Sequence, residues 1–166
     1  MDIFEFALEK EKYAERYYRE LAGKTDNAGL KNILTMLADE EAKHCQIVRQ
    51  MKAEAPGKVS ATQVLANAKK VFVKMRDAAE KFHFDISEVD LYRKACDIER
   101  ESRQYYLQKA QEVKNAAQKA LFRQLAEEEN KHLLLVERIG DFVAKPETFL
   151  ENAEMYHFDD YVEGQF

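Results

Sequence analysis

Glycine and proline are scarce in this chain, five and two among 166 residues. That is too little punctuation for many short elements, and it favours long helices. Cysteine is as scarce as proline, with two residues. Cys45 and Cys96 form no metal-type Cys-x-x-Cys pair and are too few for a disulfide framework. No excess of positive charge exists either. A net charge of -5 argues against nucleic acid or an anionic membrane as the main partner. No apolar run approaches the length of a membrane span, and the N-terminus shows neither a basic cluster nor a signal-peptide pattern. A cytoplasmic protein is expected. What is plentiful is charge, 34% Asp, Glu, Lys and Arg, together with Ala and Leu. One chain of this length is a single domain's worth and can bury a substantial core.

The informative stretch is LAEEENKH, Leu125 to His132, in which Glu129 and His132 stand three residues apart. On a helix that spacing puts both side chains on one face. The rest of that face is apolar: Phe122, Leu125, Val136, Ile139 and Val143. A carboxylate in such a seam is costly unless something neutralises it. Eighty-eight residues earlier the chain reads LADEEAKH, Leu37 to His44, with Glu41 and His44 in the same relation and Leu30, Leu34, Val48 and Met51 along the face. Thirty residues before each Glu-x-x-His lies another seam glutamate, Glu11 and Glu99, again 88 apart. Tyr17 and Tyr18 recur as Tyr105 and Tyr106. The chain is an internal duplication.

The first helix is expected to open on Asp2 and Glu5, spaced as a capping box, and to run to about Gly23. After a turn at Lys24 to Asn27, a second helix spans about Ala28 to Ala55, where Pro56-Gly57 stops it. Glu11 and Glu41 both lie just over about 20 Å from the turn at about 1.5 Å per residue, so an antiparallel pair brings them level. The second hairpin repeats this, with helices from about Glu88 to Val113 and from about Ala116 to Ala144 around a turn near Lys114-Asn115. Residues 56–88 form the crossover. There, Ser60 and Gln63 read as a capping box for one or two helices ending near Phe82, with Val64, Leu65, Ala68, Val71, Phe72 and Met75 at helical spacing.

The expected fold is therefore all-α, a four-helix bundle of two pseudo-twofold hairpins over residues 1–145. In the tail, 146–166, Phe149, Leu150, Met155, Tyr156, Phe158, Tyr161 and Phe166 are expected to pack on the bundle or on a partner subunit. His83 and His157 read as surface or packing histidines.

Four glutamates and two histidines in one core suit Fe, Mn or Zn rather than a thiolate-preferring ion. Two divalent cations would cancel four carboxylates, and two ions match a twofold repeat with one histidine for each. Blander readings are solvated glutamates beside ordinary core histidines, or a duplicated bundle that has kept these residues without using a metal.

With these motifs the chain resembles the rubrerythrin-like branch of the ferritin-like di-iron carboxylate proteins, over everything but the tail. The resemblance implies Glu11 and Glu99 as terminal ligands, Glu41 and Glu129 as bridges, and His44 and His132 as one cap for each ion. Tyr18 and Tyr106 match the family's tyrosines that orient those carboxylates. It further implies two metal ions, most simply iron, and reduction of hydrogen peroxide or dioxygen. Ferroxidation and a metal-stabilised bundle without turnover are the alternatives. Two departures stand out. The rubredoxin module of rubrerythrin proper, with its paired Cys-x-x-Cys, has no counterpart in this sequence, so an external donor such as a rubredoxin-type protein is expected. The family's additional glutamate on the third bundle helix is replaced by Ser102, which makes the site more symmetric. A homodimer is expected, with the long crossover permitting exchange of helices.

Overall fold

The computed structural model describes residues 2–152, and among these it is all-α. Six helices follow in order: α1 (Ile3–Lys24), α2 (Ala28–Lys52), α3 (Val64–Asp77), α4 (Glu88–Glu112), α5 (Ala116–Ala144) and α6 (Pro146–Glu151). Helices α1 and α2 form one antiparallel hairpin and α4 and α5 the other. Met155, Tyr156, His157, Phe158, Tyr161 and Phe166 lie outside the described residues.

Local chemistry sets the helix starts. The Asp2 carboxylate accepts from the Glu5 backbone N–H at 2.8 Å, satisfying one of the donors that every helix N-terminus leaves open. Asn27 does the same for Leu30 at 2.8 Å and Asn115 for Gln118 at 3.0 Å. These two asparagines are themselves 88 residues apart, so the duplication preserved the caps as well as the seams.

Three boundaries differ from expectation. Helix α2 ends at Lys52, before Pro56-Gly57 is reached, because Glu54 turns into the left-handed region at φ 53°. The amide of Ala55 then closes back on the Gln50 carbonyl at 2.9 Å. The Ser60-Gln63 capping box does not form: Gln63 is the N-cap residue but its side chain caps nothing. The Thr62 hydroxyl accepts from the Val64 amide at 3.2 Å instead. The crossover holds a single helix among the described residues, and it stops at Asp77, where Ala79 at φ 52° breaks it. Phe82 lies beyond that end. Its ring and that of Phe84 pack edge-on against Phe142, at 5.1 and 5.4 Å.

Helix α3 lies against α2, α5 and α6. It approaches α2 closely enough that a Cβ at Gly29 would collide with the Met75 methyl and crowd Val71. Phe72 joins Phe142 at 5.1 Å and Phe149 at 4.9 Å, so an aromatic knot ties the crossover and the short helix α6 to α5.

The core comes in two parts. One cluster, including Tyr18, Leu34, Leu37, Phe72, Val136 and Phe142, fills the end of the bundle near the α1–α2 turn. The other, including Val48, Met51, Tyr106, Phe122 and Leu125, fills the opposite end. Between them lies a polar layer. Since Phe142 is fully buried at the centre of the knot, Phe142→Ala is expected to cost about 3–5 kcal/mol, measured by urea unfolding of the metal-free protein. A loss below about 1 kcal/mol, ordinary for a surface site, would contradict this packing.

Candidate metal centre

The polar layer contains all six residues singled out by the repeat. Glu11 comes from α1, Glu41 and His44 from α2, Glu99 from α4, and Glu129 and His132 from α5. None is more than 3% exposed. Their ligand atoms form two groups, each lying within 4.8 Å: Glu11, Glu41, His44 and Glu129, and Glu41, Glu99, Glu129 and His132. Glu41 and Glu129 belong to both groups. Each group adds one further glutamate and one histidine, as a pseudo-twofold site requires.

The histidines point inward across the hairpins. His44 Nδ1 lies 2.8 Å from Glu129 Oε1, and His132 Nδ1 lies 3.0 Å from Glu41 Oε1. Each imidazole thus meets the shared glutamate of the other hairpin, while its own i−3 glutamate is farther, at 3.4 Å for Glu41 and 3.7 Å for Glu129. The two rings are nearly parallel, 11° apart with centroids at 5.4 Å.

The tyrosines cross over in the same way. Tyr18 on α1 donates to Glu99, and Tyr106 on α4 donates to Glu11. A phenol hydrogen bond of this kind fixes which carboxylate oxygen stays turned to the centre. Their neighbours brace the same α1–α4 seam: Tyr17 donates to the Leu91 carbonyl at 2.6 Å and Tyr105 to the Ile3 carbonyl at 2.7 Å. Ile3 and Leu91 are also 88 apart, so these bonds lock α1 to α4 symmetrically at each end.

Other polar groups attach the crossover to this layer. Thr62 donates its hydroxyl to Glu40 and its backbone N–H to Glu128 Oε2, the latter at 2.9 Å. Sequence reading passed over Glu40 and Glu128, although their 88-residue offset, one position before each shared glutamate, was a visible signal. The remaining candidates fall elsewhere. Ser102 is buried on α4 and Glu101 exposed. Cys45 and Cys96 are free and buried, and burial pushes both thiols up to about 11, which keeps them protonated. His83 is exposed, away from the cluster.

Electrostatics show what the layer demands. Burial raises Glu41 and Glu99 well above the usual carboxylate range, reinforced by the neighbouring carboxylates, and Glu129 is raised for the same reasons. For Glu11 burial acts upward too, but hydrogen bonding to Glu41 and the charge and hydrogen bond of His44 hold it down at about 2. Burial alone would depress the histidines. The carboxylates reverse this, raising His44 well above its ordinary value and His132 to about 9. Protons therefore neutralise the cluster when nothing else does.

A metal fits these residues. Glu11 Oε2, Glu41 Oε2 and Glu99 Oε2 are buried without any hydrogen-bond partner, an expensive condition for ordinary core groups. Six carboxylate and imidazole donors arranged as two overlapping sets suit first-row divalent cations.

A helical bundle of two related hairpins enclosing such a carboxylate and histidine layer defines a ferritin-like protein. The rubrerythrin family model matches residues 2–140, and the chain belongs to that family. Neither the curated proteins nor the solved structures yielded a match. No helix among the described residues is long and apolar enough to cross a membrane.

Two outcomes are expected. A group whose folded pKa is raised contributes stability below its unfolded value and loses it as pH climbs through the folded one. His132 therefore stabilises the metal-free protein up to about 6.5, and that contribution fades by about 9. The raised carboxyls act in the same direction. Thermal melts of the metal-free chain should fall across this range, and melts of the Zn(II)-loaded chain should fall less, with protons released on loading. A flat metal-free profile would contradict it. Tyr18→Phe and Tyr106→Phe should each weaken metal binding by about 10–100-fold, read by competition with a chromophoric chelator, while the metal-free fold persists.

Proposed function

We propose that this chain is a di-iron oxidoreductase that reduces hydrogen peroxide, or dioxygen, with electrons from an external donor. The supporting observation is the pair of overlapping donor sets that share Glu41 and Glu129. In this reading Glu41 and Glu129 bridge two ions. Glu11 and Glu99 are terminal ligands, and His44 and His132 each bind one ion through Nδ1, the nitrogen that faces the carboxylates.

Two iron ions so bound would supply two electrons to an oxidant and accept two in return. The protein's own groups do the rest. Two dications cancel the four carboxylates, so the layer gives up the protons that otherwise neutralise it. Tyr18 and Tyr106 hold Glu99 and Glu11 through one oxygen each, and the other oxygen of each is buried without a hydrogen-bond partner, free to take a cation. The apolar clusters on both sides exclude water and keep the carboxylate positions set by hydrogen bonds rather than by solvent.

Membership of the rubrerythrin family favours peroxide as the oxidant. A second reading, ferroxidation without a reductive cycle, draws support from the equal composition of the two donor sets, three glutamates and one histidine each, with Ser102 buried one turn beyond Glu99.

Anaerobic loading with Fe(II), followed by rapid mixing with peroxide and separately with dioxygen, tests these readings. Two irons per chain, faster oxidation by peroxide, repeated turnover on adding a reductant, and loss of both binding and reaction in Glu41→Ala and Glu129→Ala are expected. Preferential reaction with dioxygen, or oxidation of many irons per chain, would transfer the assignment to ferroxidation. Uptake of one ion or none would remove the redox assignment.

A further inference from the structure

The two halves of the centre are equivalent in their donors but not in their surroundings, and the crossover makes the difference. It joins the two hairpins and has no counterpart within either. Its Thr62 sits across α2 and α5, with the hydroxyl bonded to Glu40 and the backbone N–H to Glu128. Glu40 and Glu128 are themselves equivalent positions, so a single residue spans the pseudo-twofold pair. Hydrogen bonds to carboxylates are among the stronger ones a protein makes, and here two of them hold one short strap.

Beside the strap, between α2 and residues 58–67, lies an open cavity of about 410 Å³. His44 forms part of its wall, together with Asp39, Glu40, Ser60, Asn67 and two lysines, Lys43, which lies 3.7 Å from Glu40, and Lys58. His44 is 3% exposed, whereas His132 is 0% exposed. Two other directions are obstructed among the described residues. Apolar clusters fill both ends of the bundle, and along the α1–α4 seam Tyr17 and Tyr105 are hydrogen-bonded across the helices, with Lys94 and Lys10 over their rings. A hydrated cation sheds water readily only where polar side chains take its place, and the carboxylate, hydroxyl and amide groups of this cavity can do so.

We propose that a divalent cation enters and leaves the centre past His44 through this cavity, and that the strap latched by Thr62 sets the rate of exchange. The inference rests on the metal-centre reading above. In it Thr62 is a positioning residue. It touches neither ion but holds Glu40 and Glu128, each adjacent in sequence to a shared glutamate.

The test uses the full chain loaded with Zn(II) or Co(II) and mixed with excess EDTA. Thr62→Val keeps the shape and the backbone N–H but removes the hydroxyl donor. Release should quicken by about tenfold, as expected for loss of one hydrogen bond to a charged group, with the metal count at equilibrium unchanged. Asn67→Trp, and Ser60→Trp as a second plug, should slow release below that of the natural chain. Circular dichroism verifies the fold of each variant. In the metal-free protein, amide exchange over residues 58–62 should accelerate in Thr62→Val while α1 and α4 stay protected; the Val64 amide, which the Thr62 hydroxyl caps directly, is left out of the readout.

Unchanged amide exchange would overturn the latch, and a loosened strap with unchanged release would overturn its control of the metal. Plugs without effect would overturn the route. Failure of the natural chain to take up either cation would overturn the metal centre and the route together. Amide exchange would then still decide, separately, whether Thr62 fastens the strap.

Discussion

Four carboxylates and two imidazoles lie in the middle of this bundle, with apolar side chains above and below, and they must be neutralised for the core to close around them. Burying ionised groups costs several kcal/mol for each, and the protein meets this cost with compensating groups rather than with solvent. Without metal, protons on the histidines and raised carboxyls do the work, and Tyr18 and Tyr106 add donors from the opposite hairpin. The oxygens left without partners then mark where a cation would complete the balance. The caps, the matched helix lengths and the tyrosine braces of the α1–α4 seam all serve to hold these groups level.

Duplication explains why the balance is symmetric. Hydrogen bonds that look unrelated along the chain fall into pairs once the 88-residue offset is applied: Tyr17 to Leu91 with Tyr105 to Ile3, Tyr18 to Glu99 with Tyr106 to Glu11, His44 to Glu129 with His132 to Glu41. Each of these bonds runs from one hairpin to the other. The site is thus an interface between two copies of one motif, and neither hairpin alone contains a complete donor set. The crossover is the exception to the symmetry. By seating α3 and Thr62 on the α2–α5 face, it places a cavity beside His44 in one of two chemically equal halves.

Much of this is legible in the sequence, for a definite reason. Helical periodicity places residues on faces, and equal distances from two turns place them at equal heights, so Glu11, Glu41, Glu99 and Glu129 could be brought level from residue counts alone. The start of α5 at Ala116 and its end at Ala144 followed from the same pattern. Less legible were features whose partners lie far away in sequence. The Ser60-Gln63 spacing suggested a local cap, yet Thr62 is held by Glu40 and Glu128, and no local pattern encodes a contact across 22 or 66 residues. Helix α2 likewise stopped short of Pro56-Gly57 because Glu54 adopted a backbone conformation usually left to glycine.

What the sequence determined by itself was the number and length of the long helices, the face each buries, and the six residues that meet in the core, because these depend on spacing along one helix or about one turn. Tertiary structure alone decided which histidine faces which glutamate, which tyrosine holds which carboxylate, and which half of the centre borders a cavity. Those choices depend on how two hairpins dock and where the crossover lies. Docking is settled by many weak contacts between distant segments, and no single spacing records it.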